Sequence, residues 1–388
     1  MDAAKICSDL VKIRTENPPG DTKDAADFIG EILKSLGLSF KTTGDQKRRA
    51  NIYTDYHKKP LLFLGHIDVV PAIADGWVKD PFSGEISGGF VHGRGSTDMK
   101  GGCAAVLSAA YKFLDKADSL PCNLCFVCDE ENGGDAGVKH LLGKNLLTPC
   151  DCLIAEPTPY LNPSIGQKGL FRADVEFTGE PGHGSLYPVA GTSAIMLSAD
   201  FLKSLDDLNK LTFPGEDSHE ELLNDSAEVL HKILGIPDSG DVLRKITYNP
   251  GIICGGEETN IVAQKCSLKI EMRIPLGCRI SDIVDILLKK NPSVEIKIIE
   301  SAEPGLTDSK EKIVKTACTE IERVYNEVSK PIMQWAASDA RHLREKGFNA
   351  IEYGPGDLLT MHGKNEKVSV ESLKKCSEIY KGIMQNYC

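Results

Sequence analysis

The chain has 388 residues, 41% hydrophobic and 26% charged, a balance typical of a soluble globular protein long enough for two domains. Its 45 basic and 56 acidic residues give a net charge of −11 with no basic cluster, which excludes a polyanion such as nucleic acid as partner. The N-terminus lacks the apolar segment of a secretory signal, and no stretch is apolar enough to span a membrane, so we expect a cytoplasmic protein.

The first 165 residues alternate between helices and short apolar strands. In chain order the pattern predicts an amphipathic helix ahead of Asn17, a helix at 25–36, strands at 51–53 and 61–64, a helix at 99–114, and strands at 123–128 and 152–155. Continuous apolar strands that alternate with helices are typical of a mostly parallel sheet covered by helices on both faces. We therefore expect an α/β fold here.

From about Gly166 the pattern changes. It predicts alternating strands at 170–179 and 267–275, helices at 192–205 and 281–290, a strand at 294–299, and a polar surface connection at 212–225. These elements favour an α+β sandwich with one open sheet face. After a linker at 301–308 the α/β pattern returns, with a helix at 311–324, a strand at 350–353 and a helix at 371–384. We therefore expect the second domain to interrupt the first, with boundaries 1–166, 167–301 and 302–388.

Cysteine is frequent, with 13 residues, but the count is odd and the chain is large. Both facts indicate reduced thiols rather than a disulfide framework. Two clusters, 122–128 and 150–152, have the close spacing of a zinc–thiolate or iron–sulfur site. The alternative is that these cysteines are small apolar residues of buried strands. We favour that alternative because neither cluster is followed by a second well-spaced pair.

Ligand-type side chains follow the ends of the predicted strands, where open α/β sheets bind their ligands. The residues concerned are His66 and Asp68, Asp98 in a glycine-rich turn, Asp129, Glu130 and Glu131, Glu156, and His362 in a late loop. Each has an ordinary explanation by itself: a core histidine, a helix cap or a solvated turn. Together, several carboxylates in one crevice would repel each other unless a cation joined them. Imidazole and carboxylate ligands suit zinc, or the similar cobalt and manganese.

The sequence also resembles a known family. Its motifs "GHIDVVP", "GRGSTDMKGG", "DEENGG", "AEPT", "GHGS", "MRIP", "ASDAR" and "MHGKNE" are similar to those of the co-catalytic metal amidohydrolases. That family includes aminoacylase, acetylornithine deacetylase, succinyl-diaminopimelate desuccinylase and several carboxy- and aminopeptidases. The resemblance implies two divalent ions, most simply zinc, in a catalytic domain interrupted by a lid domain that also forms a homodimer.

The resemblance also implies roles for individual residues. In the catalytic domain Asp98 would bridge the two ions, His66 and Glu156 would complete one site, and Glu131 and His362 the other. Glu130 would be the general base for a metal-bound hydroxide, and Asp68 would orient His66 through a hydrogen bond. In the lid, His183 would reach the partner subunit's active site, while Asn260 and Arg273 would bind substrate. A turn histidine and an exposed strand arginine are the alternatives for His183 and Arg273.

The predicted activity is therefore hydrolysis of the amide bond of an N-acyl amino acid. The motifs most resemble those of acetylornithine deacetylase and succinyl-diaminopimelate desuccinylase, enzymes of amino-acid biosynthesis, the latter in the lysine pathway. The alternatives are a metallo-exopeptidase, such as a dipeptidase or carboxypeptidase, and a non-catalytic metal-binding homologue. A serine nucleophile is not indicated, because "GHGS" is not the G-x-S-x-G turn of serine hydrolases.

Overall fold

The computed structural model describes residues 1–54, 58–73, 75–213 and 219–388. They form two compact units. The first unit consists of three stretches of chain: Met1–Ile165, Leu306–Ile332 and Ser338–Cys388. The second consists of Gly166–Gly305 and Met333–Ala337.

The elements alternate along most of the chain. The helices are α1 (Ala3–Lys12), α2 (Lys23–Ser35), α3 (Lys100–Leu114), α4 (Val138–Gly143), α5 (Ala194–Asn209), α6 (Glu220–Leu234), α7 (Ser239–Arg244), α8 (Ile280–Lys290), α9 (Lys312–Tyr325), α10 (Ala340–Glu345) and α11 (Val370–Gln385). The strands are β1 (Phe40–Gly44), β2 (Ala50–Thr54), β3 (Leu61–His66), β4 (Ile86–Ser87), β5 (Phe90–His92), β6 (Cys122–Val127), β7 (Asp151–Ile154), β8 (Ser164–Gln167), β9 (Gly169–Thr178), β10 (Thr247–Gly255), β11 (Lys265–Ile274), β12 (Val294–Ala302), β13 (Gly305–Leu306), β14 (Ile332–Gln334), β15 (Asn349–Glu352) and β16 (Lys367–Ser369). In the described part of the chain, 3₁₀ turns lie at Glu130–Asn132 and Gly184–Leu186.

A nine-stranded sheet forms the centre of the first unit, in the order β1-β2-β6-β3-β7-β15-β8-β13, with β14 paired to β8. Its central strands β6, β3, β7 and β15 run parallel to one another. Every residue of β3 and β6 is buried, as expected of strands covered on both faces. The predicted α/β fold with a mostly parallel sheet is therefore confirmed.

The helices of the first unit follow from local sequence. The side chain of Asp2 caps α1 by accepting from the backbone N–H of Ala4, and Ser369 caps α11 in the same way. Helix α3 is buried along most of its length and packs against α1, α11 and β3. Its glycine at position 102 lets this packing be close, because a Cβ there would lie 2.0 Å from the carbonyl oxygen of Ala155.

The second unit contains an antiparallel sheet in the order β10-β11-β9-β12. Buried and exposed residues alternate along β9 and β11, as their sequences predict for a sheet with one covered face. The covered face packs against α5 and α8, and the rings of Phe177 and Phe201 meet edge to face in this core. An α+β layer is therefore present in this unit, as expected.

One prediction for this region was wrong. The prediction of a polar connection at 212–225 fails because α6 begins at Glu220; residues 214–218 lie outside the described part of the chain. The first turn of α6 is acidic, but the helix as a whole is amphipathic. Its Leu223 and Leu230 pack with Leu243 and Met333. The boundary between the two units, after Gly305, falls within the linker expected at 301–308, part of which is strand because β12 continues to Ala302 and β13 follows.

All 13 cysteines are free thiols. Those of the first predicted cluster, with Cys152 of the second, are buried in or directly after β6 and β7, and burial raises the pKa of the Cys125 thiol. Such thiols behave as small apolar side chains. No helix among the described residues has both the length and the apolar character needed to cross a bilayer.

Candidate metal centre

The carboxyl ends of three neighbouring parallel strands carry acidic and imidazole side chains. His66 ends β3, Glu130 and Glu131 follow β6 in a 3₁₀ turn, and Glu156 follows β7. Because parallel strands end at the same edge of the sheet, these residues meet there. Asp98, in the turn before α3, and His362, in the loop between β15 and β16, reach the same edge.

Five of these side chains form two groups that share one carboxylate. One group contains His66, Asp98 and Glu156, the other Asp98, Glu131 and His362, and within each group the ligand atoms lie within 4.8 Å of one another. The two oxygens of Asp98 serve different groups. Its Oδ1 lies 3.0 Å from Nε2 of His66, and its Oδ2 lies 3.0 Å from Nε2 of His362.

The remaining distances complete the two groups. Nε2 of His66 lies 3.7 Å from Oε1 of Glu156, and Nε2 of His362 lies 3.4 Å from Oε2 of Glu131. Each histidine therefore points one ring nitrogen at two carboxylates. Such a set of imidazole nitrogen and carboxylate oxygen atoms suits zinc and similar divalent ions.

The charges of the cluster favour a bound cation. Burial lowers the pKa of the His66 imidazole, but the carboxylates of Glu156 and Asp98 outweigh burial and raise it well above its usual value. Hydrogen bonds to Asp98 and Glu131 raise the pKa of His362 to about 10. Burial, together with the neighbouring Asp98, raises the pKa of both Glu131 and Glu156. Besides burial, these shifts reflect an excess of negative charge, which divalent ions would neutralise.

A buried atom without a partner supports the same conclusion. The Oε1 atom of Glu131 is buried and has no hydrogen-bond partner among the described residues. Leaving a carboxylate oxygen unpaired in the interior is costly unless a cation or a water contacts it. The residues present therefore fit two divalent ions, one held by each group.

Glu130 is close enough to interact electrostatically with His66 of one group and Glu131 of the other, but it belongs to neither group. Asp129 has a positive φ of 67°, which turns the chain sharply between the end of β6 and the 3₁₀ turn that carries the two glutamates. Burial raises the pKa of the Glu130 carboxyl well above its usual value. A carboxyl group that takes up a proton readily is suited to acid–base catalysis.

Asp68 has a different contact with His66 from the one expected. Nδ1 of His66 lies 2.9 Å from the main-chain oxygen of Asp68 and 3.7 Å from its carboxylate. The main-chain oxygen therefore accepts the Nδ1 proton and fixes the tautomer that leaves Nε2 free for a metal. The Asp68 carboxylate instead accepts hydrogen bonds from the backbone N–H groups of Glu130 and Glu131, both at 3.2 Å.

Sequence reasoning did not identify Asn17 as part of this site. The side-chain amide of Asn17 donates to Asp68 at 2.9 Å and to Asp129 at 3.0 Å, and all three residues are buried. Asn17 thereby links Asp68, whose carboxylate accepts from the backbone of the 3₁₀ turn, to Asp129, the residue before that turn. The only signal in the sequence was a polar residue between the first helix and two prolines, which marks a turn but not its contacts.

The residue Asp339, in the motif "ASDAR", is also buried. Both of its carboxylate oxygens lack a hydrogen-bond partner among the described residues, and burial raises its pKa to about 7. Its side chain does not cap α10; the hydroxyl of Ser338 accepts from Ala340 instead. Oδ1 of Asp339 also lies close to Gly134: a Cβ at that position would be 3.0 Å from this oxygen.

The three predicted lid residues lie in the second unit. His183 is exposed, and its Nδ1 accepts from the backbone N–H of Ser185 at 3.3 Å, which leaves the proton on Nε2. The main chain of Asn260 accepts from Gly184, so these two segments are adjacent. Arg273 lies in β11, and its side chain is already paired with a carboxylate of the same strand. Its Nε and Nη2 atoms donate to Glu271 at 3.0 and 2.6 Å.

The sequence of the chain is similar to those of known proteins over most of its length. The family model described as "Peptidase family M20/M25/M40" matches residues 62–386. A succinyl-diaminopimelate desuccinylase of Nitratiruptor sp. is 28% identical over 402 residues, which cover 100% of both chains.

Two solved structures have the same fold. An M20 family metallo-carboxypeptidase from Sulfolobus solfataricus is 21% identical with a TM-score of 0.79, covering 100% of this chain and 99% of that one. The di-peptidase Dug1p from Saccharomyces cerevisiae is 17% identical with a TM-score of 0.75, covering 99% and 95%. At these identities the structures support the fold alone.

Proposed function

We propose, since the chain belongs to peptidase family M20/M25/M40, that it is a two-metal hydrolase that cleaves the amide bond of N-acyl amino acids. Membership of this family confirms the resemblance found in the sequence and makes the protein a metallohydrolase. The observation that supports two-metal amide hydrolysis is the pair of ligand groups that share Asp98, with Glu130 close to both.

The ligands proposed for the two ions are the members of those groups. His66 and Glu156 would hold one ion, Glu131 and His362 the other, and Asp98 both. Two divalent ions bound there would lower the pKa of water and stabilise the negative charge that develops on the amide oxygen. Zinc is the simplest choice for this donor set, and cobalt or manganese would also suit it.

Glu130 would be the general base. It would take a proton from the attacking water and return it to the leaving nitrogen, which its raised pKa permits. Asp68 would act through two contacts: its main-chain oxygen orients His66, and its carboxylate holds the backbone of Glu130 in place. A shift of the catalytic carboxylate by 1 Å can cost ~100-fold in rate, so this backbone support matters.

The second unit is proposed to be a lid and dimerisation domain. His183, with its proton on Nε2, would donate a hydrogen bond to the developing oxyanion in the active site of a partner subunit. Asn260 and Arg273 would bind the substrate. Arg273 would have to share its guanidinium between Glu271 and a substrate carboxylate, which its planar fork of donors allows.

The choice of substrate rests on the named relatives. Desuccinylases from several bacteria match the whole chain at 26–28% identity, which supports an N-succinyl amino acid as substrate. The motifs that resemble those of acetylornithine deacetylase add N-acetyl amino acids to the proposal. Peptidase activity is the second candidate, because the family model that matches the chain is described as a peptidase family.

The test is a substrate panel with the purified protein. N-succinyl-diaminopimelate, N-acetylornithine, N-acetyl-lysine and several dipeptides would each be assayed with added Zn²⁺ or Co²⁺ and after chelation. We expect turnover of an acyl-amino acid that is lost on chelation and restored by metal. Faster cleavage of dipeptides would select the peptidase alternative, and turnover that persists after chelation would contradict the metal mechanism.

A further inference from the structure

A buried ion pair lies beside the group formed by Asp98, Glu131 and His362. Arg94 follows β5 and Glu366 precedes β16, and these strands pair antiparallel with Lys367 opposite His92. The pairing brings the two side chains together in the interior, where that of Arg94 is 4% exposed and that of Glu366 0%. Nη1 of Arg94 donates to Oε2 of Glu366.

Each member of the pair also holds the backbone of one residue of that group. Oε1 of Glu366 accepts from the backbone N–H of Thr97 at 2.9 Å and of Asp98 at 3.1 Å. Nη2 of Arg94 donates to the main-chain oxygens of His362 and Gly363, at 3.3 and 3.1 Å. The pair therefore joins the turn that carries Asp98 to the loop that carries His362.

His362 depends on this support more than the other histidine does. It lies in a loop, has a positive φ of 57°, and its side chain is 50% exposed. His66, in contrast, is the last residue of a central strand and is fixed by Asp68. Among the residues that the structure describes, neither His66 nor Glu156 forms a hydrogen bond with Arg94 or Glu366.

The geometry of arginine is needed for this contact. Its rigid fork of donors reaches a carboxylate with one nitrogen and two carbonyl oxygens with another, whereas a lysine ammonium is a single point of charge. The guanidinium also lies over the ring of Trp77, with its central carbon 5.4 Å from the ring centroid. The pair is thus held in one orientation from several sides.

We propose that Arg94 and Glu366 are positioning residues for the second ion, the one assigned to Asp98, Glu131 and His362. This inference rests on the proposed two-metal function and adds that the pair sets the difference in affinity between the two ion positions. Residues that orient metal ligands through hydrogen bonds contribute ~10–100-fold to metal affinity when they are changed. Because Asp98 belongs to both groups and His362 to the second alone, the loss of affinity should be larger for the second ion than for the first.

The test measures metal binding rather than activity. Wild-type protein, Glu366→Gln and Arg94→Lys would be freed of metal and dialysed against a series of Co²⁺ concentrations, and the bound ions counted by elemental analysis. Glu366→Gln keeps the side-chain shape but places an amide NH₂ against the guanidinium, and Arg94→Lys keeps the charge but loses the fork. We expect Arg94→Lys, which acts through His362, to bind the first ion as the wild type does and the second ~10–100-fold more weakly. Glu366→Gln acts through the shared Asp98, so it should weaken the second ion by a similar factor and the first ion less.

The matched control is Glu378→Gln, which breaks the ion pair between Glu378 and Lys112 on the helices α11 and α3. It should bind both ions as the wild type does. Thermal melting of the metal-free proteins would identify a variant that fails to fold, in which case the other variant decides. Equal weakening of both ions, or no weakening of the second in a folded variant, would overturn the positioning role. A wild-type protein that binds fewer than two ions would overturn the two-metal function itself.

A double-mutant cycle distinguishes positioning from general support of the fold. In the background of His362→Ala the second site has already lost the ligand that Arg94 orients. Arg94→Lys should then cause no additional loss of Co²⁺ binding, whereas an additive loss would contradict the proposal.

Discussion

Two adjacent glutamates of the 3₁₀ turn have separate proposed roles, and this separation can be tested by substitution. Glu130→Gln removes the proton acceptor but no proposed ligand, so we expect near-normal metal content and a ~10²–10⁴-fold loss of turnover. Glu131→Ala removes a member of the second group and should lower the number of bound ions. Elemental analysis and steady-state kinetics on both variants measure this. A glutamine variant that keeps most of its activity would contradict the assignment of the base.

The sequence pattern was sufficient to gather the candidate ligands at one edge of the sheet, because all but His362 follow a predicted strand or lie in a glycine-rich turn. Their division between two ions came from the family resemblance. The structure brings His66, Asp98, Glu131, Glu156 and His362 together as that reasoning expected. Sequence reasoning could not identify Asn17, Arg94 or Glu366 as part of the site. Their contacts join residues 51 to 272 positions apart, and no local periodicity records such a pairing. The contact of Asp68 with the main chain of the turn was missed for the same reason.

At the scale of elements, the packing of α3 against the end of β7 should be sensitive to one methyl group. A Cβ at Gly102 would lie 2.0 Å from the main-chain oxygen of Ala155, so the helix would have to move. Because Asp98 precedes this helix and Glu156 follows β7, we expect Gly102→Ala to lower both metal content and the free energy of unfolding, the latter by ~1–3 kcal/mol.

The matched control is Gly143→Ala, at the end of α4, where a Cβ would meet no atom within 4 Å. It should leave metal content unchanged and stability equal or higher by up to ~1 kcal/mol. Urea unfolding and elemental analysis compare the two variants. If Gly102→Ala were as well tolerated as Gly143→Ala, the close packing would not constrain the site.

The end of α7 in the second unit provides a prediction about pH. The buried ammonium of Lys168 donates to the main-chain oxygens of Val242 and Lys245, both at 2.7 Å. Burial lowers the pKa of Lys168 to about 7, against ~10.4 in an unfolded chain. Between these values the unfolded chain holds a proton that the native protein has released, so stability rises with pH, by up to ~1.4 kcal/mol per unit. Below pH 7 the contribution of Lys168 is constant and least favourable.

Urea unfolding at several pH values measures this effect. The free energy of unfolding of the wild type relative to Lys168→Met should increase between pH 7 and 9. Lys203→Met is the control, because the Lys203 side chain is 74% exposed, and its difference from the wild type should stay flat. A flat difference for Lys168→Met as well would contradict the lowered pKa.

Elements were predicted best where apolar periodicity was strong, as in the central strands and in α3, α5 and α11. Helix α6 was missed because its acidic and polar residues dominate the sequence, and its few apolar residues find partners far along the chain, such as Met333. The short strands β4, β5 and β16 were also missed. Two or three residues are too few to establish a period of two, and such strands exist only because they pair.

At the scale of the whole molecule, the proposed homodimer can be tested through His183. If this histidine acts in the active site of a partner subunit, two inactive variants should complement each other. Mixed dimers of Glu130→Gln and His183→Ala chains would contain one active site with both residues intact. Random pairing of equal amounts of the two chains makes up to about half of the dimers mixed after subunit exchange. We expect activity to be recovered in these mixed dimers. Mixtures that stay inactive after proven exchange would contradict action across the dimer.

The first unit is discontinuous in sequence, and this has a consequence for biosynthesis. Four of the five clustered residues precede the second unit along the chain, and His362 follows it. A ribosome therefore releases the complete set for one group, His66 with Asp98 and Glu156, long before it delivers the last member of the other. A nascent chain would therefore hold every proposed ligand of the first ion before the second unit is made, and every proposed ligand of the second ion only after His362 has been added.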